Sequence, residues 1–347
     1  MKLESRLYFK NALEMTEVED ESVDLVVTSP PYPMIQMWDE IFTGIDESIG
    51  TAIDNRDGGQ AWELMNAQLD LVWAECLRAL KPGGFACINI GDATRKIGDQ
   101  FRLYPNHSRI ISAFVALGFD CLPSVIWRKP TNAPNKFMGS GMLPSGAYVT
   151  LEHEYILIFR KGARRTLFST EEKLVRQKST FFWEERNVWF SDIWQFKGAT
   201  QPINDRGGKA GRDRSGAYPY ELVHRLINMY SIQKDTVLDP FHGTGTTLSA
   251  CIVNGRKCIG YEIDGGLAEL IYSNAQTAFS RSGELTSQRL ERHRVFVADY
   301  RERKTEPKYT NEHYGFPVIT RQERNIRFPA AQKLTAGDGN IIICDYL

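Results

Sequence analysis

Several short apolar runs along the chain have the length of β-strands and are continuous rather than alternating. Continuous runs of this kind are typical of strands that are covered on both faces, as in a parallel sheet. The predicted strands are Val23–Thr28, Phe85–Ile90, Cys121–Trp127, Tyr155–Phe159, Thr236–Asp239, Cys258–Glu262 and Val295–Ala298. The pattern therefore predicts a mainly parallel sheet.

Apolar residues at helical spacing lie between the predicted strands. One run steps by three or four residues and ends at Lys81-Pro82-Gly83-Gly84, a strong helix stop. Its apolar positions are Met65, Leu69, Val72, Cys76 and Leu80. Further helices are predicted around Ser108–Leu117, Tyr220–Tyr230, Thr246–Asn254 and Gly266–Phe279. The alternation of strands and helices over two blocks, residues 20–160 and 218–300, predicts a doubly wound α/β fold.

Two segments interrupt this alternation. The stretch between the blocks has weak periodicity and contains NDRGGKAGRDRSG, which indicates an inserted region with a linker. The stretch Pro33–Gly59 is long, acidic and glycine-containing, and it directly follows the sequence Ser-Pro-Pro-Tyr. We interpret it as a loop and a candidate lid.

The composition is that of a soluble globular protein, with 42% hydrophobic and 24% charged residues. A chain of 347 residues is long enough for one large α/β domain with a smaller inserted or appended one. No stretch approaches the roughly 18 apolar residues of a membrane span, and the start MKLESRLYFK lacks the apolar core of a signal peptide. We therefore expect a cytoplasmic protein without a membrane partner.

Cysteine and histidine spacing does not favour a disulfide framework or a metal site. The six cysteines form no C-x-x-C pair and lie mostly in apolar runs, so we expect reduced core residues. They are Cys76, Cys87, Cys121, Cys251, Cys258 and Cys344. The six histidines are scattered, and no metal is expected.

Charge is distributed unevenly along the chain. The net charge is −1, yet residues 160–214 contain 13 Lys/Arg against 7 Asp/Glu, a local net charge of +6. Charge alone fits a solvated surface as well as a surface that contacts phosphates.

A glycine turn lies in the stretch TVLDPFHGTGTTLSACIVNGRKCIGYEID. A predicted strand ends at Asp239, Gly243 and Gly245 precede a helix that begins at Thr246, and the next strand ends at Glu262. Such glycines let the backbone approach a ligand, and an acid about 20 residues further on can bind a ribose diol. A dinucleotide-binding turn and a simple packing turn remain alternatives. The carboxylate at the strand end would repel a pyrophosphate and favours a cationic cofactor such as S-adenosylmethionine (SAM).

Six motifs together resemble those of a known family. They are, in chain order, TSPPY, LRALKPGG, NIGD, LEHEYILIFRKG, DPFHGTGTT and GYEID. Over residues 20–300 the chain resembles the beta group of SAM-dependent DNA amino-methyltransferases of restriction-modification systems. This resemblance implies a Rossmann-like, mostly parallel, doubly wound sheet of seven strands with a circularly permuted motif order and an inserted target-recognition region.

The resemblance also implies a division of the chain. Residues 1–162 form the catalytic half of the methyltransferase domain, 163–215 the target-recognition region, 216–300 the SAM-binding half, and 301–347 an extension of unassigned role. The strand that ends at Asp239 is expected beside the strand that ends at Thr28, where strand order reverses and ligands bind.

The family's motifs also imply roles for individual residues, matched position by position. The catalytic residues are Ser29, Pro30, Pro31 and Tyr32. The cofactor-binding residues are Thr28, Tyr218, Pro219, Asp239, Pro240, Phe241, Gly243, Gly245, Thr246, Glu262 and Ile263. The basic segment 160–214 lies where the family has its target-recognition region, and the expected phosphate contacts in it are Lys197, Arg206, Lys209, Arg212 and Arg214. The partner that the resemblance implies is double-stranded DNA with a short specific site. A cognate restriction endonuclease, and a monomer or a homodimer, are left open.

The Ser-Pro-Pro-Tyr corner fits the chemistry of an exocyclic amine, although alone it would be an ordinary stiff turn. The lone pair of such an amine is delocalised into the ring, and acceptors for both N–H groups make it available for attack. Ser29 Oγ and the Pro30 carbonyl are the predicted acceptors, and Tyr32 is predicted to stack on the flipped base.

The first residue of the corner points to a particular amine. In the family that the chain resembles, Ser-Pro-Pro-Tyr usually accompanies cytosine, so the resemblance implies the N4 amine of cytosine for Ser29, and adenine N6 is the alternative. RNA or a protein amide as substrate, and a DNA-binding subunit without catalysis, are weaker hypotheses. Cytosine-C5 methylation is disfavoured because no cysteine follows a proline.

Overall fold

The computed structural model describes residues 1–129, 138–166, 169–198, 218–337 and 339–347. The strands in these ranges are β1 (Lys2–Tyr8), β2 (Val23–Thr28), β3 (Leu80–Ile90), β4 (Ala93–Ile97), β5 (Gln100–Tyr104), β6 (Asp120–Arg128), β7 (Met138–Gly139), β8 (Ala147–Tyr148), β9 (His153–Arg160), β10 (Ile193–Gln195), β11 (Thr236–Asp239), β12 (Lys257–Tyr261), β13 (Tyr309–Thr310), β14 (Pro317–Val318), β15 (Ala331–Ala336) and β16 (Ile341–Tyr346).

The α-helices in the same ranges are α1 (Asp39–Ile45), α2 (Glu47–Asp54), α3 (Gly58–Ala79), α4 (Asn106–Ala116), α5 (Thr170–Lys178), α6 (Trp183–Trp189), α7 (Tyr220–Tyr230), α8 (Thr246–Asn254) and α9 (Ala268–Arg303). Short 3₁₀ turns lie at Gln36–Trp38, Gly265–Leu267 and Arg321–Asn325.

Ten of the described strands form one sheet in the order β10-β6-β9-β3-β2-β11-β12-β1-β16-β15. The central strands β3, β2, β11, β12 and β1 are parallel neighbours, whereas β9 and β16 run antiparallel to the strands beside them. The predicted doubly wound α/β fold is confirmed. The sheet has ten strands rather than the seven expected.

Helices cover both faces of the sheet, so its central strands are buried on both sides. Along β2, Val26 packs into one core with Trp73 of α3, while Leu25 and Val27 pack into the other with Leu226 of α7. All six residues of β2 are buried. This explains the continuous apolar run, since a strand with one solvent-exposed face would alternate apolar and polar residues.

The strand order reverses between β2 and β11, which are parallel neighbours with Leu25 opposite Val237. From β2 the order continues to β3, and from β11 it continues to β12 on the other side. The predicted adjacency of the strands that end at Thr28 and Asp239 is confirmed. Their carboxyl ends form the crevice in which open α/β sheets bind ligands.

The predicted strand Val295–Ala298 is wrong, because these residues lie inside the 36-residue helix α9. Arg289, His293 and Val297 are buried at intervals of four, whereas Val295 is 62% exposed. Helical spacing therefore decides which side chains face the protein. The helix predicted to end at Phe279 continues because no proline breaks it before Arg303.

The stretch Pro33–Gly59 is helical rather than a loop. It contains α1 and α2, and Phe42 and Ile49 are buried in the core beside α3. Asp46 caps α2 by accepting a hydrogen bond from the Ser48 amide at 2.9 Å. The role of this segment as a lid stays a prediction.

The C-terminal residues belong to the central sheet. Strand β16 lies between β1 and β15, with Leu3 opposite Cys344. The stretch before β15 packs against α9 and the start of α6, because the Phe316 ring lies 4.9 Å from the ring of His293 and 5.9 Å from the ring of Phe182, between centroids. Residues 301–347 are therefore, in their described part, integrated into the fold rather than appended to it.

Five of the cysteines are buried, as predicted, but Cys121 is exposed. Within the described ranges, no group of three or more His, Cys, Asp or Glu side chains is placed to hold a metal ion. Among the helices of those ranges, none is both long enough and apolar enough to cross a lipid bilayer.

Candidate active site

A buried hydrogen bond joins the two main sequence motifs. Thr28 Oγ1 at the end of β2 donates to Asp239 Oδ1 at the end of β11, at 2.6 Å. The two residues are 211 positions apart in the chain. The parallel pairing of β2 with β11 brings the Ser-Pro-Pro-Tyr corner next to the glycine turn.

The carboxylate of Asp239 is a buried acceptor for several donors. Its Oδ2 accepts from the Tyr218 hydroxyl at 2.8 Å and from Thr247 Oγ1 at 2.5 Å, and its Oδ1 accepts from the Phe241 amide at 3.2 Å. Asp239 is 0% exposed. Its side chain therefore orders the start of the glycine turn, and its role in cofactor binding stays a prediction. Thr247 was missed by the sequence reasoning, although it stands in the same motif.

The electrostatics of this cluster keep Asp239 ionised. Burial acts to raise the pKa of Asp239, but His242 and the hydroxyls of Thr247 and Thr28 outweigh it, and the pKa lies below its ordinary value. The His242 ring packs against Gly260 on β12, where an added Cβ would lie 2.6 Å from the ring. The buried charge is thus satisfied by short, fixed contacts.

The glycine turn has the open geometry that a ligand site requires. Gly243 and Gly245 have φ angles of +53° and +84°, in the left-handed region that favours glycine. A Cβ at Gly245 would lie 2.9 Å from Ile271 Cγ2, whereas a Cβ at Gly243 would meet no atom within 4 Å. Gly245 is required for packing, and Gly243 borders open space above the start of α8 at Thr246.

Glu262 lies on the other side of this open space. Its Oε2 accepts from the Gly243 amide at 2.7 Å, and its Oε1 accepts from the Asp264 amide at 2.9 Å. Burial raises the pKa of Glu262 above its ordinary value, and the two amide donors oppose this shift. The half-buried carboxylate is held at the carboxyl end of β12 and keeps lone pairs for a ligand hydroxyl.

The remaining predicted cofactor residues surround the same turn. Pro240 is buried directly after β11, and Phe241 packs edge-on against Trp73 with ring centroids 6.0 Å apart. Ile263 is 49% exposed, and Pro219 precedes α7 as its N-cap. The structure brings the predicted cofactor set together at one edge of the sheet.

The Ser-Pro-Pro-Tyr corner continues from β2 on the other side of Thr28. Ser29 and Pro31 are half-buried and Pro30 is buried. Ser29 Oγ donates to the Tyr32 hydroxyl at 3.2 Å. The corner thus presents the predicted acceptor serine beside the glycine turn.

Two residues outside the predicted set hold the hydroxyl of Tyr32. The Tyr32 hydroxyl donates to Glu154 Oε2 at 3.0 Å and accepts from Asn89 Nδ2 at 2.8 Å. Burial, with the Glu154 carboxylate next, holds the pKa of Tyr32 well above its ordinary value. The sequence signal for both residues was present in the motifs NIGD and LEHEY, where no role was assigned to them.

Close packing also fixes the path of the corner. A Cβ at Gly91 would lie 2.9 Å from Tyr32 Cε2, so the tyrosine ring rests against this glycine. Asn106, at the start of α4, donates to the carbonyls of Pro33 and Gly91 at 3.0 and 3.1 Å. The chain after the corner is therefore tied to the chain after β3.

The predicted DNA contacts are only partly within the described residues. Lys197 is exposed on the protein surface, whereas Arg206, Lys209, Arg212 and Arg214 lie outside the described residues. The described part of the region 163–215 packs on the body of the protein, with β10 paired to β6.

Several basic residues near the start of the segment 160–214 serve internal contacts. Arg165 pairs with Asp235 at 2.7 Å, and Lys161 donates to the Leu80 carbonyl at 2.7 Å. The +6 net charge of residues 160–214 therefore overstates the charge available to DNA.

Comparison with known proteins gives a consistent result. The model of the DNA methylase family (N6_N4_Mtase) matches residues 23–273. The chain is 51% identical over 329 residues to the type II methyltransferase M.MthZI of Methanothermobacter thermautotrophicus, covering 94% of this chain and 90% of that protein. It is 50% identical over 279 residues to the type II methyltransferase M.MjaI of Methanocaldococcus jannaschii, covering 77% of this chain and 89% of that protein.

A solved structure is also similar. TTHA0409 from Thermus thermophilus, assigned as a DNA modification methylase and crystallised with SAM, superposes with a TM-score of 0.59 at 32% sequence identity. The match covers 79% of this chain and 95% of that protein. This likeness extends the family relationship to the three-dimensional fold.

Proposed function

The chain belongs to the DNA methylase family, and we propose that it is a site-specific DNA methyltransferase that transfers a methyl group from SAM to the N4 amine of a flipped-out cytosine in duplex DNA. The hydrogen bond between Thr28 and Asp239 is the observation that carries the proposal. It joins the serine-containing corner, which we propose orients the amine, to the glycine turn, which we propose binds SAM.

The residues of the glycine turn fit this cofactor. The space beside Gly243 leaves room for a ligand against the backbone, and Glu262 offers carboxylate oxygens to a ribose diol. SAM supplies a methyl group on a cationic sulfur, which makes that group reactive toward a nitrogen lone pair. The chain's own residues hold the cofactor and orient the amine, and no metal takes part in the proposal.

At the corner, Ser29 and the carbonyl of Pro30 accept the two N–H groups of the target amine. Pro30 and Pro31 fix the backbone and have no N–H, so the backbone at these two positions presents only carbonyl acceptors. Tyr32 offers a ring face to the base that leaves the duplex, and such stacking recovers roughly 1–3 kcal/mol. These contacts would make the amine lone pair available without a covalent intermediate.

We predict N4-methylcytosine as the product, because the corner begins with Ser29 and Ser-Pro-Pro-Tyr usually accompanies cytosine in the family. The serine hydroxyl, an acceptor whose proton can rotate toward another group, supports this assignment. DNA methylated by the purified protein would be digested to nucleosides and compared by mass spectrometry with both standards. A reaction without SAM is the control. N6-methyladenine as the sole product would overturn the cytosine assignment and leave the DNA methyltransferase standing.

We propose that the basic segment supplies phosphate contacts through Lys197 and four further residues, Arg206, Lys209, Arg212 and Arg214. Replacing those four with glutamine should reduce the slope of log affinity against log salt by about 0.9 for each phosphate interaction removed. The measurement is fluorescence anisotropy on a short duplex at several salt concentrations.

A matched variant separates this effect from a general loss of positive charge. It neutralises four exposed lysines outside the segment, Lys2, Lys304, Lys308 and Lys333, and should keep the wild-type slope. Equal slopes for the wild type and the segment variant would place the phosphate contacts elsewhere.

A further inference from the structure

A chain of hydrogen bonds runs from the corner to a carboxylate on strand β9. Ser29 Oγ donates to the Tyr32 hydroxyl at 3.2 Å, and this hydroxyl donates to Glu154 Oε2 at 3.0 Å. Glu154 is the second residue of β9, which pairs with β3. The corner is therefore connected to a charged group 122 residues away in the chain.

The Glu154 carboxylate fixes the donor and the acceptor in each hydrogen bond between it and Ser29. An ionised carboxylate can only accept, so the single hydroxyl proton of Tyr32 must point to Glu154. The Tyr32 oxygen is then left as an acceptor, and it receives the single proton of Ser29. With that proton turned away, Ser29 Oγ can only accept: Asn89 Nδ2 donates to it at 3.4 Å, and one lone pair is left for the target amine.

The orientation of Asn89 follows from the same carboxylate. Asn89 Nδ2 donates to Glu154 Oε2 and to the Tyr32 hydroxyl, both at 2.8 Å. The opposite amide orientation would put an amide oxygen against the carboxylate. The observed one leaves Asn89 Oδ1 buried without a hydrogen-bond partner among the described residues, a cost of about 1–3 kcal/mol. The hydrogen bond from Asn89 Nδ2 to the Glu154 carboxylate outweighs that cost.

Lys129 holds the carboxylate itself in place. Its Nζ pairs with Glu154 Oε1, so Oε2 is left for Tyr32 and Asn89. The lysine follows β6, the other neighbour of β9. Both oxygens of Glu154 thus have donors from different parts of the chain, which prevents the side chain from rotating away.

We propose that Glu154 is a positioning residue that sets the polarity of the Ser29 hydroxyl, so that the serine accepts from the target amine rather than donating to it. The inference rests on the proposed function. A serine proton aimed at the amine nitrogen would engage the lone pair that has to attack the methyl group. Glu154 excludes that arrangement without contacting the substrate.

The test replaces Glu154 with glutamine, which keeps the shape of the side chain but adds an N–H donor. This amide can donate to the Tyr32 hydroxyl and reverse the direction of the hydrogen bonds between residue 154 and Ser29. We therefore expect kcat to fall about 10- to 100-fold, a smaller loss than complete removal of an oriented group would cause. The dissociation constant for SAM, measured by equilibrium dialysis, should stay within about twofold, since the altered contacts lie outside the glycine turn.

The matched control is Glu152→Gln, the same change two residues earlier in the chain. Glu152 pairs with Arg128 at 3.2 Å on the protein surface and takes no part in the chain of hydrogen bonds. Its kcat should remain at the wild-type level. A kcat for Glu154→Gln within about twofold of that control would overturn the proposal.

A double-mutant cycle distinguishes polarity from a merely structural role. Tyr32→Phe removes the intermediate hydroxyl, so Glu154 can no longer act on Ser29 through Tyr32, the path with the shorter contact to the serine. Adding Glu154→Gln to Tyr32→Phe should therefore lower kcat by less than about twofold further. Effects that multiply in the double variant would show that Glu154 acts independently of Tyr32, and would refute the inference.

NMR spectroscopy detects the contact between Tyr32 and Glu154 without requiring turnover. In protein labelled with ¹³Cζ-tyrosine, the Tyr32 signal is identified by its absence in Tyr32→Phe. It should shift in Glu154→Gln and stay in place in Glu152→Gln, and no shift in either would overturn the proposed contact. If the two variants show these shifts but the wild-type protein methylates no DNA, the proposed function is refuted instead.

Discussion

Replacing Asp239 with alanine is expected to lower the free energy of unfolding by about 2–4 kcal/mol and to abolish SAM binding. The carboxylate is completely buried and accepts hydrogen bonds from the hydroxyls of Thr28, Tyr218 and Thr247. Its removal takes this acceptor from Thr28, leaves Tyr218 and Thr247 with only each other at 2.5 Å, and opens a cavity beneath the glycine turn. Stability and cofactor affinity should therefore fall together.

Urea unfolding and equilibrium dialysis with SAM measure the two effects. Asp239→Asn is the matched variant, because it keeps the volume and one oxygen acceptor while removing the charge. It should lose less stability than the alanine variant. An alanine variant with wild-type stability would show that the three hydroxyls find other partners and that Asp239 does not organise the turn.

Elements bounded by strong local signals were predictable from the sequence. The strands Val23–Thr28 and Thr236–Asp239 and the helices Tyr220–Tyr230 and Thr246–Asn254 have the predicted bounds. Each is a short apolar or amphipathic run, and the two strands are closed by residues that cannot continue them, the Ser-Pro-Pro corner and the glycine turn. Local chemistry decides where such elements end.

Elements that depend on distant pairing were not predictable. Strand β16 is held by β1, with Cys344 opposite Leu3 at the other end of the chain. Nothing near the stretch NIIICDYL indicates this partner. The short apolar run Val295–Ala298 fits a strand by composition, and only its position within a long uninterrupted helix decides otherwise.

The same distinction separates the predicted from the missed parts of the site. The motifs identified the corner and the glycine turn because consecutive residues carry their chemistry. Asn89 and Glu154 meet at the corner only because β9 pairs with β3, with Ile156 opposite Asn89. A lateral register of this kind is a property of the folded sheet, and a single sequence does not reveal it.

The second large effect is expected from Ser29→Ala, which should lower kcat about 10²- to 10³-fold, the usual consequence of removing an oriented group that stabilises a transition state. The affinity for SAM should be nearly unchanged. Ser29 is hydrogen-bonded to Tyr32 and Asn89, at 3.2 and 3.4 Å, and these contacts are separate from the buried cluster around Asp239.

The measurement is single-turnover methylation of duplex DNA together with equilibrium dialysis of SAM, so that binding and chemistry are read separately. Ser22→Ala is the matched control, because Ser22 precedes the opposite end of β2 and its hydroxyl donates to the Glu19 carbonyl, at 2.7 Å. It should retain wild-type turnover. Parallel losses of SAM affinity and turnover in Ser29→Ala would mean that Ser29 supports the fold of the crevice. Loss of turnover alone would place the serine at the reacting amine, where its lone pairs act only once the base has left the duplex.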